Sequence, residues 1–137
     1  MKVEVEWTPP MRFEGLSQSR ARTVMESRAD GTAPAGPSPV ESVLMALCAC
    51  SGVDVVEILQ KMRANLADLR IEADAERAPE PPRVFTKIHM RFRCGGEGLT
   101  REQAERAVNL SLEKYCSVAA MLHKTAALSY EVVLEEF

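Results

Sequence analysis

The chain has 137 residues, of which 46% are hydrophobic and 27% are charged, and its 17 Lys and Arg residues stand against 20 Asp and Glu residues. This size and balance predict one globular domain over residues 1–137 that buries its own core, and they argue against disorder. The net charge of −3, without a basic block, argues against nucleic acid as a partner.

The sequence predicts neither a membrane-spanning segment nor a secretory signal. The longest apolar run, residues 43–50, has eight residues, whereas a membrane-spanning helix needs about 20. The first seven residues alternate apolar and charged side chains, unlike a signal peptide. The four cysteines include no Cys-x-x-Cys pair. We therefore expect a cytoplasmic protein whose thiols stay reduced and that has no membrane partner.

The first half of the chain predicts three short strands and one long helix. Strands are expected over residues 2–7, 11–16 and 22–26, separated by turn-forming residues. Turn formers fill residues 30–37, and Ser38-Pro39 supplies an N-cap followed by proline at the first helical position. The helix extends to about Arg63. Its first turns after Glu41 are apolar on every side, which indicates burial between other elements.

The second half predicts a hairpin, two helices and a last strand. Residues 69–76 and 84–94 alternate on either side of a proline-rich turn, which favours an antiparallel pair. Thr100 to Gln103 has the pattern of a capping box and begins a helix that continues to about Lys114. A break at residues 115–117 precedes a short helix over 118–124 and a strand over 128–134. The order βββ-α-ββ-α-α-β indicates an α+β fold.

The cysteines offer the most distinctive chemistry, because a thiolate is a strong nucleophile. Cys50 lies in the middle of the long helix, far from the helix N-terminus, and a carboxylate at Asp54 disfavours a thiolate there unless Asp54 is paired elsewhere. From this pattern alone, a small hydrophobic core residue is favoured over a nucleophile. Cys116 lies in the first turn of the predicted short helix, where free N–H groups favour an anion, so a reactive role and a structural role stay open.

The remaining candidates predict no additional site. Cys48 is expected to face the core, about 200° around the helix from the other helical cysteine, and Cys94 ends a strand. His89 and His123 with Cys48 or Cys116 lack metal-ligand spacing, so we expect neither a metal nor a cofactor. The basic positions of the strand over 84–94 predict a solvated face paired with acids.

Two cysteine-bearing segments resemble a known family. SPVESVLMALCACSGVDVV over residues 38–56 and EKYCSV over residues 113–118 are similar to the segments that carry the two cysteines of the OsmC/Ohr family, the osmotically inducible and organic hydroperoxide resistance proteins. The element order matches over nearly the whole chain, and the match is best with an uncharacterised OsmC-like subgroup. The resemblance implies an OsmC-like fold and an intertwined homodimer, in which two long central helices are enclosed by sheets from both subunits.

The resemblance also implies a chemistry. A peroxidatic Cys50 would attack an organic hydroperoxide, Cys116 would resolve the resulting sulfenic acid as a disulfide, and a lipoyl-type dithiol would restore both thiols. Glu41 is similar to a family glutamate that holds an arginine against the peroxidatic cysteine, although an acid at a helix start is equally favourable for structural reasons. The family's glycine-rich arginine hairpin is replaced here by EGLSQSRAR over residues 14–22. Arg20, with Arg22 second, is the nearest substitute.

That replacement, together with Asp54 beside Cys50, favours an alternative hypothesis. In it, a non-enzymatic dimer of the same fold binds an apolar or thiol-bearing ligand in the cleft between its subunits. The separation of Cys50 from Cys116, and the presence of a guanidinium at the Cys50 sulfur, distinguish the two hypotheses.

Overall fold

The computed structural model describes residues 1–28 and 30–136. Its elements confirm the predicted order and add a π-helical turn before the last helix. The chain divides into two compact units, residues 1–44 and residues 45–137. The elements are β1 Val3–Thr8, β2 Arg12–Ser17, β3 Arg22–Glu26, α1 Pro39–Lys61, β4 Asp68–Arg77, β5 Phe85–Gly95, α2 Arg101–Leu110, the π-helical turn Ser111–Tyr115, α3 Ser117–Leu122 and β6 Ala127–Leu134.

The first unit contains an antiparallel sheet in the order β1-β2-β3. Its strands lie within two residues of the three predicted runs at each end. All six residues of the edge strand β1 are exposed, and the apolar side chains of Val3, Val5 and Trp7 are each more than half exposed. Folded proteins usually cover apolar side chains on an edge strand.

Helix α1 begins where the sequence predicts it. The backbone N–H of Glu41 donates to the Ser38 hydroxyl at 3.1 Å, and the Glu41 carboxylate accepts from the backbone N–H of Ser38 at 2.9 Å. These reciprocal bonds form a capping box, with Pro39 at the first helical position. They satisfy two N–H groups that the helix itself leaves unpaired.

One face of α1 is buried in the core of the second unit, and another face is exposed. The buried positions recur every four residues: Leu47, Ser51, Val55 and Leu59. Gly52 is also buried, and a Cβ atom there would come within 3.1 Å of the Ile71 side chain, so glycine permits close packing against β4. On the exposed face, Met45 is 56% and Val53 57% exposed. Within one chain, therefore, the helix is not enclosed on every side.

Helix α1 has the length and composition of a membrane-spanning helix, with a mean hydropathy of 1.9 over its most apolar window. It is the one helix within residues 1–28 and 30–136 that meets this test. The core helices of globular proteins meet the same test, and the buried stripe of α1 favours that interpretation.

The second unit contains a sheet in the order β4-β5-β6, in which β4 and β5 are antiparallel and β6 is parallel to β5. This confirms the predicted hairpin. The inner face of β5 supplies the core side chains Ile88, Met90, Phe92 and Cys94, each at most 1% exposed. Simple alternation places Phe85 on the outer face, but a register shift opposite Glu76 and Arg77 turns it inward, and it is 8% exposed.

The outer face of this sheet is charged, as the sequence predicts. Arg91 pairs with Glu131 at 2.9 Å, and Arg93 pairs with Glu135 at 2.6 Å and with Glu72 at 3.0 Å. Such partly exposed pairs contribute little to stability, and they account for the basic positions of β5 without a ligand.

The helices after β5 begin and break where the sequence predicts, with one difference. Thr100 and Gln103 form the expected capping box at the start of α2. The helix does not continue in α form to Lys114, because residues 111–115 widen into the π-helical turn. Cys116 then has an extended backbone and becomes the N-cap of α3. The widened turn therefore leads directly into a cysteine.

Candidate active site

The second unit brings Cys50 of α1 and Cys116 at the start of α3 together. Their side chains are neighbours, since the Cys50 thiol contributes to raising the pKa of Cys116. The two residues are 66 positions apart in the sequence, so this proximity is a product of the fold. Both residues are among the candidates singled out from the sequence.

The Cys116 side chain is 3% exposed. Its sulfur accepts a hydrogen bond from the backbone N–H of Ala119 at 3.4 Å, as expected for a cysteine at a helix start. That bond favours the thiolate, but burial outweighs it and, with the neighbouring Cys50 thiol, raises the pKa of Cys116 to about 11. Cys116 is therefore a neutral thiol at pH 7, and the helix start does not activate it.

Asp54 also has a hydrogen-bond partner within the second unit. Its Oδ2 atom accepts a hydrogen bond from the Ser111 hydroxyl at 2.8 Å. The sequence alone could not show whether Asp54 is paired away from Cys50. In the structure, this carboxylate, one turn after Cys50, has a hydrogen-bond partner on another element. Asp54 is part-buried, so this bond is shielded from water on one side.

Two buried serines extend this contact into a small network that sequence reasoning missed. The Ser51 and Ser111 hydroxyls are 3.0 Å apart, and the Ser111 hydroxyl lies 3.4 Å from the Ser51 carbonyl oxygen. Both residues are fully buried. Because Ser111 is 60 residues from Ser51, no local pattern could have paired them. The available signal was weaker: serines at core positions of two predicted helices.

Glu41 makes local contacts in the first unit. Its carboxylate accepts the backbone N–H of Ser38, and these hydrogen bonds with Ser38 lower the pKa of Glu41. The geometry thus supplies the structural reason for an acid at this helix start. The role of holding an arginine, which the resemblance implies, stays a prediction.

Arg20 lies in the turn between β2 and β3 with a positive φ of 72°, and its backbone N–H donates to the Ser17 carbonyl at 2.9 Å. Arg20 and Arg22 are both exposed. In the part of the chain that the structure describes, no ion pair involves either guanidinium. Their assignment to Cys50 also stays a prediction.

Another carboxylate of the first unit holds two arginines, and the sequence did not single it out. Glu26 is 3% exposed and pairs with Arg28 at 2.6 Å and with Arg12 at 3.3 Å. Its Oε1 atom also accepts the backbone N–H of Ala35 at 2.9 Å. The hydrogen bond from Arg28 and the other contacts lower the pKa of Glu26 to about 2. A fixed carboxylate with two guanidinium groups is therefore present, although the resemblance pointed to other residues.

The other cysteines and His89 have ordinary structural environments. Burial raises the pKa of Cys48 and of Cys94, and the Cys94 thiol points to the Phe92 carbonyl at 3.9 Å. His89 contacts Ser129 at 2.7 Å and Glu131 at 3.2 Å. Across residues 1–28 and 30–136, no three His, Cys, Asp or Glu side chains form a group that could hold a metal ion.

A cavity of about 340 Å³ lies in the second unit. Asp54, one turn from Cys50, and Tyr115, adjacent to Cys116, both line it. Ile58, Met62 and Leu110 supply apolar walls. The cavity is thus partly apolar, with Lys61 and Arg106 also in its lining, and a small organic molecule could occupy it.

Comparisons with known proteins identify the family. The family model of OsmC-like proteins matches residues 29–131. Protein YhfA of Escherichia coli K12 is 44% identical over 135 residues, which cover 97% of this chain and 98% of YhfA. A crystal structure of a hypothetical protein from Aquifex aeolicus VF5 is 30% identical with a TM-score of 0.81, covering 98% of this chain and 97% of that one.

A more distant structure extends the likeness in fold alone. The organic hydroperoxide resistance protein OhrB of Bacillus subtilis is 17% identical, with a TM-score of 0.64 and coverage of 96% of both chains. The matched segment contains both cysteines of the site and most of the chain. By the family model and by its curated relative, this chain belongs to the family of OsmC-like proteins.

Proposed function

We propose that this protein is a thiol-dependent peroxidase that reduces organic hydroperoxides through Cys50 and Cys116. The observation that carries the proposal is the proximity of these two thiols in the second unit, through which Cys50 raises the pKa of Cys116. A thiol that lies beside a cysteine can trap a sulfenic acid on that cysteine before further oxidation. Membership of a family that includes organic hydroperoxide resistance proteins supports the same substrate class.

The proposed reaction is a two-electron reduction. The Cys50 thiolate attacks the terminal oxygen of ROOH, the O–O bond breaks, and ROH leaves after protonation of the alkoxide, so that Cys50 becomes a sulfenic acid. The Cys116 sulfur then attacks the Cys50 sulfur, and the hydroxyl leaves as water with the Cys116 proton. A dithiol of lipoyl type reduces the resulting disulfide and is itself oxidised to a cyclic disulfide.

The raised pKa of Cys116 assigns the two cysteines different roles within this proposal. With a pKa of about 11, Cys116 is protonated at neutral pH and is a poor first nucleophile. Cys50 is half-buried, and Asp54, one turn later on the same helix, lines the cavity. Cys50 is therefore the proposed attacking residue, and Cys116 the resolving residue.

Activation of Cys50 needs a cation near its sulfur, because burial disfavours a thiolate. The proposed cation is Arg20, held by Glu41, and the alternatives are Arg22 or an arginine of a partner subunit. Bidentate or paired carboxylate contacts fix a guanidinium in place, which is what activation requires.

We further propose a homodimer, in which both units of the chain act as one cytoplasmic domain. Val53 and Met45 on α1 and the apolar side chains of β1 are exposed in the single chain, and a second copy would cover them. Sedimentation should give twice the chain mass of 15.1 kDa, and Val53→Glu should shift the protein towards the monomer. A wild-type monomer at micromolar concentration would rule out the dimer.

The test of the peroxidase follows consumption of cumene hydroperoxide with dihydrolipoamide as the electron donor. We expect many turnovers per protein with this dithiol and fewer with glutathione, because a dithiol reduces a disulfide intramolecularly after its first attack. Consumption limited to one equivalent or less with every dithiol would contradict the proposal.

The cavity of about 340 Å³ is also consistent with the alternative function, non-enzymatic ligand binding. Its apolar walls would also suit a ligand held without turnover, as in the non-enzymatic hypothesis. Saturable binding of an apolar thiol that does not depend on Cys50 oxidation, together with no peroxide consumption, would favour that function.

A further inference from the structure

Ser111 makes contacts with the chain segments that carry both cysteines. Its hydroxyl donates to Asp54 at 2.8 Å and lies 3.0 Å from the hydroxyl of Ser51, the residue after Cys50. Its carbonyl oxygen accepts the backbone N–H of Cys116 at 2.7 Å. The side chain of Ser111 thus contacts α1, while its backbone holds Cys116.

The bond to Cys116 closes the π-helical turn at its C-terminal end and connects residues five positions apart, as in a π-helix. In a continuous α-helix, the N–H of Cys116 would instead bond to Leu112, and the Cys116 side chain would point in a different direction around the helix. A π-helical turn is rare and is less favourable than the α form, so a contact outside the turn must stabilise it.

We propose that the hydrogen bond between Ser111 and Asp54 stabilises the π-helical turn and thereby positions Cys116 for bond formation with Cys50. Ser111 and Asp54 are then positioning residues for the disulfide step, and this inference rests on the proposed function. The bond lies between a buried hydroxyl and a part-buried carboxylate. Such a charge-assisted hydrogen bond is stronger than one between neutral groups.

A disulfide requires a sulfur–sulfur distance near 2.05 Å and a narrow range of dihedral angles. Small displacements of one cysteine therefore reduce the effective concentration of its thiol at the other. Removal of the Ser111 hydroxyl would release the turn from α1. Replacement of Asp54 by asparagine would keep an acceptor oxygen but remove its charge, so it should have a smaller effect.

The experiment measures the equilibrium between the dithiol and the Cys50–Cys116 disulfide in glutathione buffers, by mass spectrometry of the full chain. We expect Ser111→Ala to lower the equilibrium constant for disulfide formation by about tenfold, which corresponds to about 30 mV. Asp54→Asn should lower it less. Ser51→Ala is the matched control, because it removes another fully buried hydroxyl of the same network but leaves the bond between Ser111 and Asp54.

The outcomes separate this inference from the proposed function. No Cys50–Cys116 disulfide in the wild type would overturn the proposed function and the inference together. A wild-type disulfide whose equilibrium constant is the same in Ser111→Ala would overturn the inference alone. An equal loss in Ser51→Ala would show that general weakening of the core is the cause, and it would also overturn the inference. If Ser111→Ala does not fold, the same criteria apply to Asp54→Asn.

Discussion

Cys48 and Cys50 are separated by one residue on α1, yet their surroundings differ. Burial raises the pKa of Cys48, of Cys94 and of Cys116, so burial alone does not distinguish a reactive cysteine from a structural one. Among these three raised values, a second thiol contributes only to that of Cys116, and that thiol belongs to Cys50. About 200° of helix rotation separates Cys48 from this contact. The comparison teaches that a neighbouring thiol, and not burial, is the feature that separates Cys116 from the other two buried cysteines.

The largest expected effect comes from removing the attacking thiol. Cys50→Ser should reduce hydroperoxide turnover at least about a hundredfold, because a hydroxyl is a far weaker nucleophile at neutral pH. Cys48→Ser, on the same helix, should retain turnover within about twofold. Steady-state consumption of cumene hydroperoxide measures both, and equal losses in the two variants would remove the distinction between the two cysteines.

Removing the proposed resolving thiol should change the oxidation product of Cys50 more than the rate at which Cys50 first reacts with the hydroperoxide. In Cys116→Ser, the Cys50 sulfenic acid has no neighbouring thiol, so excess peroxide should convert it to sulfinic acid within minutes. Cys94→Ser is the control, since Cys94 is equally buried but contacts a backbone carbonyl. Mass spectrometry of the Cys50 peptide reports the oxidation state. Protection of Cys50 in the absence of Cys116 would contradict the resolving role.

A smaller effect is expected from the groups proposed to activate Cys50. Arg20→Ala and Glu41→Gln should each slow alkylation of Cys50 at pH 7 by about tenfold, which is about 1.4 kcal/mol of lost preference for the anion. Glu26→Gln is the comparison, because Glu26 holds Arg12 and Arg28 in the first unit. Alkylation rates between pH 6 and pH 9, with Cys50 identified by peptide mass, decide among the carboxylates.

The alkylation rates of the three variants distinguish between the proposed sources of activation. A loss in Glu26→Gln without a loss in Glu41→Gln would contradict the role proposed for Glu41. Rates unchanged in all three variants would contradict activation by a guanidinium and favour the ligand-binding alternative. Slower alkylation in Glu41→Gln, together with an unchanged rate in Arg20→Ala, would assign the cation to Arg22 or to an arginine of a partner subunit.

The remaining expected effect is on stability, and it is confined to high pH. Burial and Cys50 raise the pKa of Cys116 to about 11 in the folded state, above the ordinary value near 8.5. The unfolded chain therefore loses this proton first, and the free energy of unfolding should fall as the pH rises from about 9 to about 11. Denaturant unfolding of wild type and of Cys116→Ala measures the difference. An equally steep fall in both proteins would contradict the raised pKa.

The sequence predicted the fold well because local patterns determine most of its elements. The N-cap and proline at Ser38-Pro39 and the capping box at Thr100 place the helix starts, and alternation along residues 69–76 and 84–94 places the hairpin. The resemblance supplied the pair of Cys50 and Cys116. Neither alternation nor helical periodicity could have done so, because the contact joins elements far apart in the chain.

The parts that could not be predicted depend on contacts at long range. The bond from Ser111 to Asp54 spans 57 residues, and the π-helical turn beside it has the composition of an ordinary helix. The raised pKa of Cys116 depends on burial, which opposes the helix-start effect that the sequence indicated. The pairing of Glu26 with Arg12 depends on the β2-β3 register, in which these two residues lie opposite each other.

The most direct test of the central claim is peptide mapping of the wild-type protein after treatment with one equivalent of cumene hydroperoxide. The account predicts one intramolecular disulfide, between Cys50 and Cys116, with Cys48 and Cys94 still reduced. Oxidation of Cys48 or Cys94, with Cys50 and Cys116 both reduced, would contradict it.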